Sequence, residues 1–181
     1  MDLFILAQII GVVAVGFELL SYQCRKKRNM LVCDALAAIF YGIHYFLLSA
    51  FSGGWSQIII LARTICVLIK DEEHRKWNGL FWIFIAAYIV VGILTFDAWY
   101  SILAIIASLM FLVATWKFKD AQKIRYLALP AKILWLIYNI CVVSIPGIIA
   151  KTLAIISILL GLWRNRKVTS KKKRVKRKKK S

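Results

Sequence analysis

Proline, acidic residues and histidine are all scarce in this sequence. Its 181 residues include two prolines, eight aspartates and glutamates and two histidines, whereas 61% are hydrophobic. With so few prolines the apolar runs are long, and most lack the polar face that a helix at the surface of a soluble domain needs. The composition therefore excludes an ordinary soluble domain and predicts a polytopic membrane protein.

Motifs for catalysis and for metal binding are also missing. The sequence has no Gly-rich phosphate loop, no GxSxG and no HExxH, and its four cysteines form no CxxC pair. The two histidines, His44 and His74, are 30 positions apart. We therefore expect no enzymatic activity, no cofactor and no metal, and we interpret the cysteines as small apolar residues in the bundle.

Seven apolar runs are long enough to be membrane spans. The first begins at Leu3 without a preceding basic stretch or a following cleavage site, which indicates a span rather than a removed signal peptide. Every loop that carries lysine or arginine falls on one side, so the positive-inside rule predicts a multi-pass membrane protein with its N-terminus outside and its C-terminus cytoplasmic. The predicted spans are 4–23, 30–48, 54–70, 79–95, 98–116, 124–143 and 146–163.

An internal repeat is visible when residues 98–164 are moved back by 94 positions. Apolar blocks, the basic loop and the uncharged turn then coincide, and Gly147 falls on Gly53. A single helix between two three-helix units makes them parallel. We predict an all-α, polytopic bundle of seven transmembrane helices in a 3+1+3 arrangement. The bundle, 1–163, consists of repeat one (1–70), a linker helix (79–95) and repeat two (98–163), followed by a basic tail (164–181).

The stretch HYFLLSAFSGGWSQIIILARTICVLI, residues 44–69, resembles the signature of the bacterial inner-membrane YgjV family. The matching features are a histidine followed by an aromatic residue and leucines, a small-residue turn and an arginine in the third helix. His44, Gly53 and Arg63 occupy these positions. The resemblance implies an inner-membrane bundle of seven helices and leaves the function open.

That family is distantly similar to the SWEET, PQ-loop and nicotinamide riboside transporters. The segment LPAKILWLIYNI resembles the SWEET pattern of an early proline followed by tryptophan and Tyr-Asn, at Pro130, Trp135, Tyr138 and Asn139. The similarity implies a central transport pathway between two repeats. Repeat one departs from the pattern, because Leu36 stands where the matching proline would be.

Arg63 lies near the middle of the third span, where a charged side chain is expensive and faces the protein interior. One interpretation is that it lines a pathway or binds an anionic group. The other is that it is structural, pairing with a carboxylate. Glu18 and Asp34 are the candidate partners for such an ion pair.

Two further groups of polar residues share helix faces within the predicted spans. Lys132, Trp135 and Asn139 form one stripe, and Tyr41, His44 and Tyr45 form another. The 94-residue shift brings Tyr41 onto Trp135 and Tyr45 onto Asn139, which predicts a substrate pocket lined by these four side chains. Each stripe also has a structural interpretation, with Lys132 reaching the surface or His44 only hydrogen-bonded. Lys151 lies close to the outer end of its span, and we expect it to extend to the surface.

The C-terminal tail is strongly basic. From Arg164 onward 12 of 18 residues are lysine or arginine, out of a total net charge of +18. Such a run next to a cytoplasmic span is expected to lie on anionic lipid headgroups. RNA is a less favoured partner, because no fold or aromatic platform accompanies the charges.

Two functions fit this sequence. The first is a transporter or facilitator of a small solute, polar or anionic, with a central site built from Arg63, Lys132 and the two aromatic stripes. The second is a non-transporting receptor or assembly protein that uses the same bundle. A homo-oligomer is compatible with either function, and the solute remains open.

Overall fold

The computed structural model describes residues 2–24, 26–73 and 78–159. These residues form helices joined by short connections, and no strand occurs among them, so the all-α prediction is confirmed. The basic tail and His74 lie outside the described residues. The helices are α1 Leu3–Gln23, α2 Lys27–Leu47, α3 Phe51–Glu73, α4 Asn78–Leu94, α5 Ser101–Lys117, α6 Ala121–Leu127, α7 Leu129–Cys141 and α8 Ile145–Leu159.

Three helices, α1 to α3, are long and apolar enough to cross a membrane, and α4, α5, α7 and α8 are apolar but shorter. The predicted sixth span appears as two helices, α6 and α7, which are separated at Ala128. Pro130 explains the interruption, because it lacks an N–H and its ring clashes with the carbonyl of Tyr126, four residues earlier.

The bundle has apolar side chains on its outside and polar side chains inside. Val12, Trp82 and Ile93 are 63%, 67% and 72% exposed, whereas Glu18 and Arg63 are 3% and 0% exposed. Lipid chains accept apolar surface, but charged and hydrogen-bonding groups must find partners within the protein. This distribution is that of a protein surrounded by lipid.

The two repeats share most of their helix ends, although α2 is continuous where repeat two has α6 and α7. Their helix ends coincide after a shift of 94 positions: Gln23 with Lys117, Lys27 with Ala121, Leu47 with Cys141, and Phe51 with Ile145. The turns before α3 and α8 also match, because Ser49 and Val143 are the two non-glycine residues with positive φ in the described chain, at 56° and 53°. The 3+1+3 arrangement is therefore confirmed in the order and ends of the helices.

Helix packing explains how the repeats meet. In repeat one α1 packs on α2 and α2 on α3, in repeat two α5 packs on α7, and α4 packs on both α3 and α5. Short connections make successive helices antiparallel. Because one helix stands between the repeats in the chain, the repeats run in the same direction.

Candidate functional site

A cavity of about 60 Å³ lies between the two repeats. A cavity of this size has room for roughly four to six water molecules. Repeat one supplies walls from α1, α2 and α3, and repeat two supplies walls from α5, α7 and α8. The lining residues are Glu18, Asp34, Ala37, Ala38, Tyr41, Gln57, Ile60, Phe111, Ala131, Lys132, Trp135 and Lys151.

The lining follows the internal repeat. Eight of the twelve residues form four pairs that are 94 positions apart: Ala37 with Ala131, Ala38 with Lys132, Tyr41 with Trp135, and Gln57 with Lys151. Equivalent positions of both repeats therefore face one space. The cavity lies on the approximate axis that relates the two halves of the bundle.

Glu18 is the centre of the charged groups in this cavity. Its Oε1 lies 2.9 Å from Nζ of Lys132, and its Oε2 lies 2.6 Å from Nζ of Lys151. Tyr22 and Tyr41 also donate their hydroxyls to the carboxylate, at 2.9 and 2.8 Å. Two ammonium groups and two hydroxyls thus compensate one buried carboxylate, and Glu18 joins α1 to α7 and α8.

The sequence of α1 places Glu18 in the interior. Its buried residues, Ala7, Gly11, Ala14, Glu18 and Ser21, follow one another at spacings of four and three positions, which is one helix face. Because these side chains other than Glu18 are small, α1 packs closely on its neighbours. The carboxylate is therefore directed at the cavity rather than at lipid.

Aromatic rings form one wall of the site. Tyr45 stacks between Tyr41 and Trp135, with ring centroids 5.9 and 5.7 Å apart. The Tyr45 hydroxyl donates to Oδ1 of Asn139 at 2.8 Å. The four side chains that were predicted to line a pocket thus lie next to one another. However, Tyr41 and Trp135 line the cavity, whereas Tyr45 and Asn139 do not.

His44 is held by hydrogen bonds on both ring nitrogens. Nδ1 lies 2.7 Å from the carbonyl oxygen of Ala7, and Nε2 lies 2.7 Å from Oγ of Ser144. The carbonyl can only accept, so Nδ1 carries a hydrogen and, in the neutral ring, Nε2 accepts from the serine. His44 is fully buried and outside the cavity lining, which agrees with the structural interpretation of this residue.

Tyr138 makes a matching set of contacts with the other repeat. Its hydroxyl accepts from the backbone N–H of Gly53 at 2.8 Å and lies 3.1 Å from Oγ of Ser52. A Cβ at Gly53 would lie 2.6 Å from that hydroxyl, so only glycine allows this approach. His44, Tyr45, Tyr138, Asn139 and Ser144 together form a layer, here the turn layer, which joins the repeats beside the turns before α3 and α8.

Arg63 faces the bundle, as predicted, but does not reach the cavity. Its Nη1 donates to Oγ1 of Thr115 at 2.7 Å, and its guanidinium lies 4.8 Å from the ring centre of Phe111. The predicted ion pair with Glu18 or Asp34 is wrong. Glu18 pairs with the two lysines instead, and among the described residues Arg63 has no carboxylate within ion-pairing distance. Asp34 lines the cavity.

Lys151 is the residue whose role the sequence obscures. The prediction that it extends to the surface is wrong, because it is 6% exposed and lies 4.6 Å from the ring centre of Tyr41. The 94-residue offset contains the missing signal, since it pairs Lys151 with Gln57, a polar residue on the inward side of α3. Lys132 lines the cavity, and its side chain is 15% exposed.

The comparisons with known proteins identify the family. The sequence profile of Imp-YgjV, a family of bacterial inner membrane proteins, matches residues 5–169. The match covers most of the chain, so the protein belongs to this family. No curated protein and no solved structure matches the chain. The more distant similarity to SWEET and PQ-loop transporters stays a prediction.

Proposed function

Because the chain is a member of the YgjV family of bacterial inner membrane proteins, we propose that it transports a small polar or anionic solute, or facilitates its diffusion. In this proposal the bundle crosses the membrane seven times, with the N-terminus outside and the C-terminus in the cytoplasm. The distribution of basic loops supports that orientation.

One observation carries the proposal: the cavity lies between two parallel repeats and is lined by equivalent residues of both. Transporters built from repeats place their substrate sites at the repeat interface, near the middle of the membrane. Charged residues in such a position are typical of substrate or ion pathways. The aromatic surfaces of Tyr41 and Trp135, with a few fixed polar groups, suit a small polar ligand.

The chemistry of the site favours a solute that exchanges with Glu18. An anionic group could take its place beside the ammonium groups of Lys132 and Lys151, which are 2.9 and 2.6 Å from the carboxylate. The volume of about 60 Å³ limits a solute bound in this conformation to a few heavy atoms. Larger solutes require the repeats to separate.

The turn layer suggests where a barrier lies. It joins the repeats through Tyr45 and Asn139, through His44 and Ser144, and through Tyr138 and Gly53. We propose that these contacts close one end of the pathway, and that opening them exposes the cavity to the other side. Such rocking of one repeat against the other is a known form of alternating access.

A second function, a non-transporting receptor or assembly protein, also has a supporting observation. The Glu18 carboxylate has four partners, so the ion pairs could act only to hold α1 to α7 and α8. Under this alternative the cavity is a packing defect filled by water. It predicts large effects of mutation on stability and none on any flux.

Proteoliposome uptake distinguishes the two functions. Purified protein would be tested with a panel of small labelled carboxylates, amino acids, polyols and amines, and each hit repeated with Lys132→Gln. We expect at least one solute to enter faster than into empty liposomes, and Lys132→Gln to slow that entry about tenfold or more. Lys119→Gln, which changes an exposed lysine, serves as control. Panel-wide uptake equal to that of empty liposomes, with folded protein, would favour the receptor.

Two further features complete the proposal. We expect no enzymatic activity and no cofactor. We also propose that the basic tail from Arg164 onward binds anionic lipid headgroups, where each lysine or arginine near the surface contributes about 1 kcal/mol. Binding to vesicles with and without phosphatidylserine, compared with a chain that ends at residue 163, tests this part.

A further inference from the structure

Arg63 lies in a second polar region, between α3, α4 and α5. The side chain is 0% exposed, and its Nη1 donates a hydrogen bond to Oγ1 of Thr115. The ring centre of Phe111 lies 4.8 Å from the guanidinium carbon and 5.4 Å from Nζ of Lys132. Phe111 lines the cavity around Glu18, whereas Arg63 does not.

One edge of the guanidinium has no partner. Nε and Nη2 of Arg63 are buried and without a hydrogen bond to any described residue. These two nitrogens form the edge whose parallel N–H groups bind both oxygens of a carboxylate at once. The two unpartnered nitrogens, Nε and Nη2, therefore lie on one edge of the guanidinium and can bind the same carboxylate.

A third unpartnered group, the hydroxyl of Tyr88, lies near the guanidinium. The Tyr88 hydroxyl, on α4, lies close to the guanidinium and to Ser108, yet it has no hydrogen bond of normal geometry with described residues. Tyr88 itself is 0% exposed. Buried polar groups are nearly always satisfied, so three such atoms in one place need a common explanation.

The positive charge of Arg63 also indicates a missing partner. Arg63 is a buried cation, and no described carboxylate lies within ion-pairing distance of it. A buried cation is stable only when it is paired or thoroughly hydrogen-bonded. Asp34 interacts with Arg63 only from beyond ion-pairing distance, and the neutral threonine and the aromatic ring supply no negative charge.

We propose that Arg63 and Tyr88 bind a planar oxyanion, either the carboxylate of an organic solute or a free anion such as nitrate or bicarbonate. Two of its oxygens accept from Nε–H and Nη2–H of Arg63, and the Tyr88 hydroxyl donates a third hydrogen bond. The site is separate from the Glu18 cavity and does not depend on the proposed transport.

Binding of small anions to the purified full-length protein tests this site. Sodium formate, acetate, propionate, nitrate and bicarbonate would be compared with chloride at equal ionic strength, by thermal unfolding and by calorimetry. At ten times its Kd a bound anion raises the unfolding midpoint by roughly 3–6 °C. We expect this rise for formate and nitrate and not for chloride. Affinity that grows from formate to propionate indicates an organic acid, whereas nitrate or bicarbonate binding best indicates a free anion.

Two variants assign the binding to this edge. Arg63→Lys keeps the charge but lacks the fork, so it should bind formate at least tenfold more weakly, whereas Lys119→Gln should bind it normally. Tyr88→Phe loses one donor and should weaken binding about fivefold. If Arg63→Lys does not fold, the formate affinity of Tyr88→Phe serves as the test. Equal responses to chloride and formate in the wild type, or unchanged formate affinity in Tyr88→Phe and in any folded Arg63→Lys protein, would overturn the proposal.

Discussion

The two repeats have the same order of helices but bring opposite charges to the cavity. Both lining carboxylates, Glu18 and Asp34, come from repeat one, and both lining lysines, Lys132 and Lys151, come from repeat two. At equivalent positions repeat one has Ala38 and Gln57 where repeat two has the lysines. Two repeats with the same order of helices can therefore form a site with an asymmetric distribution of charge. Because the carboxylates are in one repeat and the lysines in the other, the ion pairs connect the two repeats.

The comparison also separates two kinds of buried charge. Glu18 has four polar partners, whereas Arg63 has one hydrogen-bonded neighbour and an unpartnered edge. A fully compensated group holds the structure together as it stands. A partly compensated group is where a ligand can add stability.

The largest effect should come from removing the carboxylate that joins the repeats. Glu18→Gln leaves Lys132 and Lys151 buried without their counter-charge, and breaking a buried ion pair typically costs about 3–5 kcal/mol. We expect the unfolding midpoint to fall by roughly 6–20 °C. Thermal unfolding in detergent measures it.

Two further variants check the cause of that loss. Asp2→Asn, on the exposed end of the same helix, should change the free energy of unfolding by less than about 1 kcal/mol. Adding Lys151→Met to Glu18→Gln should recover part of the stability, because it removes one unpaired cation. A midpoint for Glu18→Gln within 2 °C or so of the wild type would contradict the view that these ion pairs join the repeats.

A smaller effect is expected when a charge is moved from one repeat to the other. Lys151→Gln should destabilise the protein by about 2–3 kcal/mol, since Glu18 loses one of its two lysine partners and keeps Lys132 with two tyrosine hydroxyls. Gln57→Lys restores a lysine at the equivalent position of repeat one, which lines the same cavity. We expect it to recover about half of the lost free energy in a double-mutant cycle. If Lys151→Gln and Gln57→Lys instead destabilise the protein additively, a lysine at position 57 does not replace Lys151. The two positions would then be equivalent in backbone location only.

The smallest effect concerns the matching turns. Val143 adopts φ of 53°, a conformation that is costly for a β-branched residue, and Ser49 adopts 56° in repeat one. Val143 is 55% exposed, so its replacement removes little packing. We expect Val143→Gly to stabilise the protein by about 1 kcal/mol and Ser49→Gly by less. Chemical unfolding measures both, and a loss of stability in Val143→Gly would argue against strain in this turn.

Much of the fold could be predicted because the internal repeat is visible in the pattern of apolar and charged residues along the sequence. The spacing of apolar blocks and uncharged turns fixes the offset of 94, which the structure reproduces in the Tyr45–Asn139 hydrogen bond. The interruption at Ala128 is less visible, although Pro130 signals it. The inward direction of Arg63 also follows from the cost of a charge in lipid.

The partners of the charges could not be predicted in the same way. Counting residues along a span gives the depth of a Cα atom, but pairing depends on the rotation of each helix and on the reach of each side chain. By residue count Glu18 lies 15 positions after the start of α1 and Lys151 only six positions after the start of α8, yet their charged atoms are 2.6 Å apart. The same limit led to the wrong pairing of Arg63.

The order of the charged residues along the chain determines when their ion pairs can form during synthesis. Glu18 and Lys151 are separated by 133 residues, and ribosomes add about 5–20 residues per second, so roughly 7–27 s pass between their synthesis. During that interval the first three helices enter the bilayer with an acidic group whose basic partners do not yet exist. A chain that stops after α4 keeps this defect permanently, so an unfinished copy differs chemically from a finished one and is open to removal by membrane proteases.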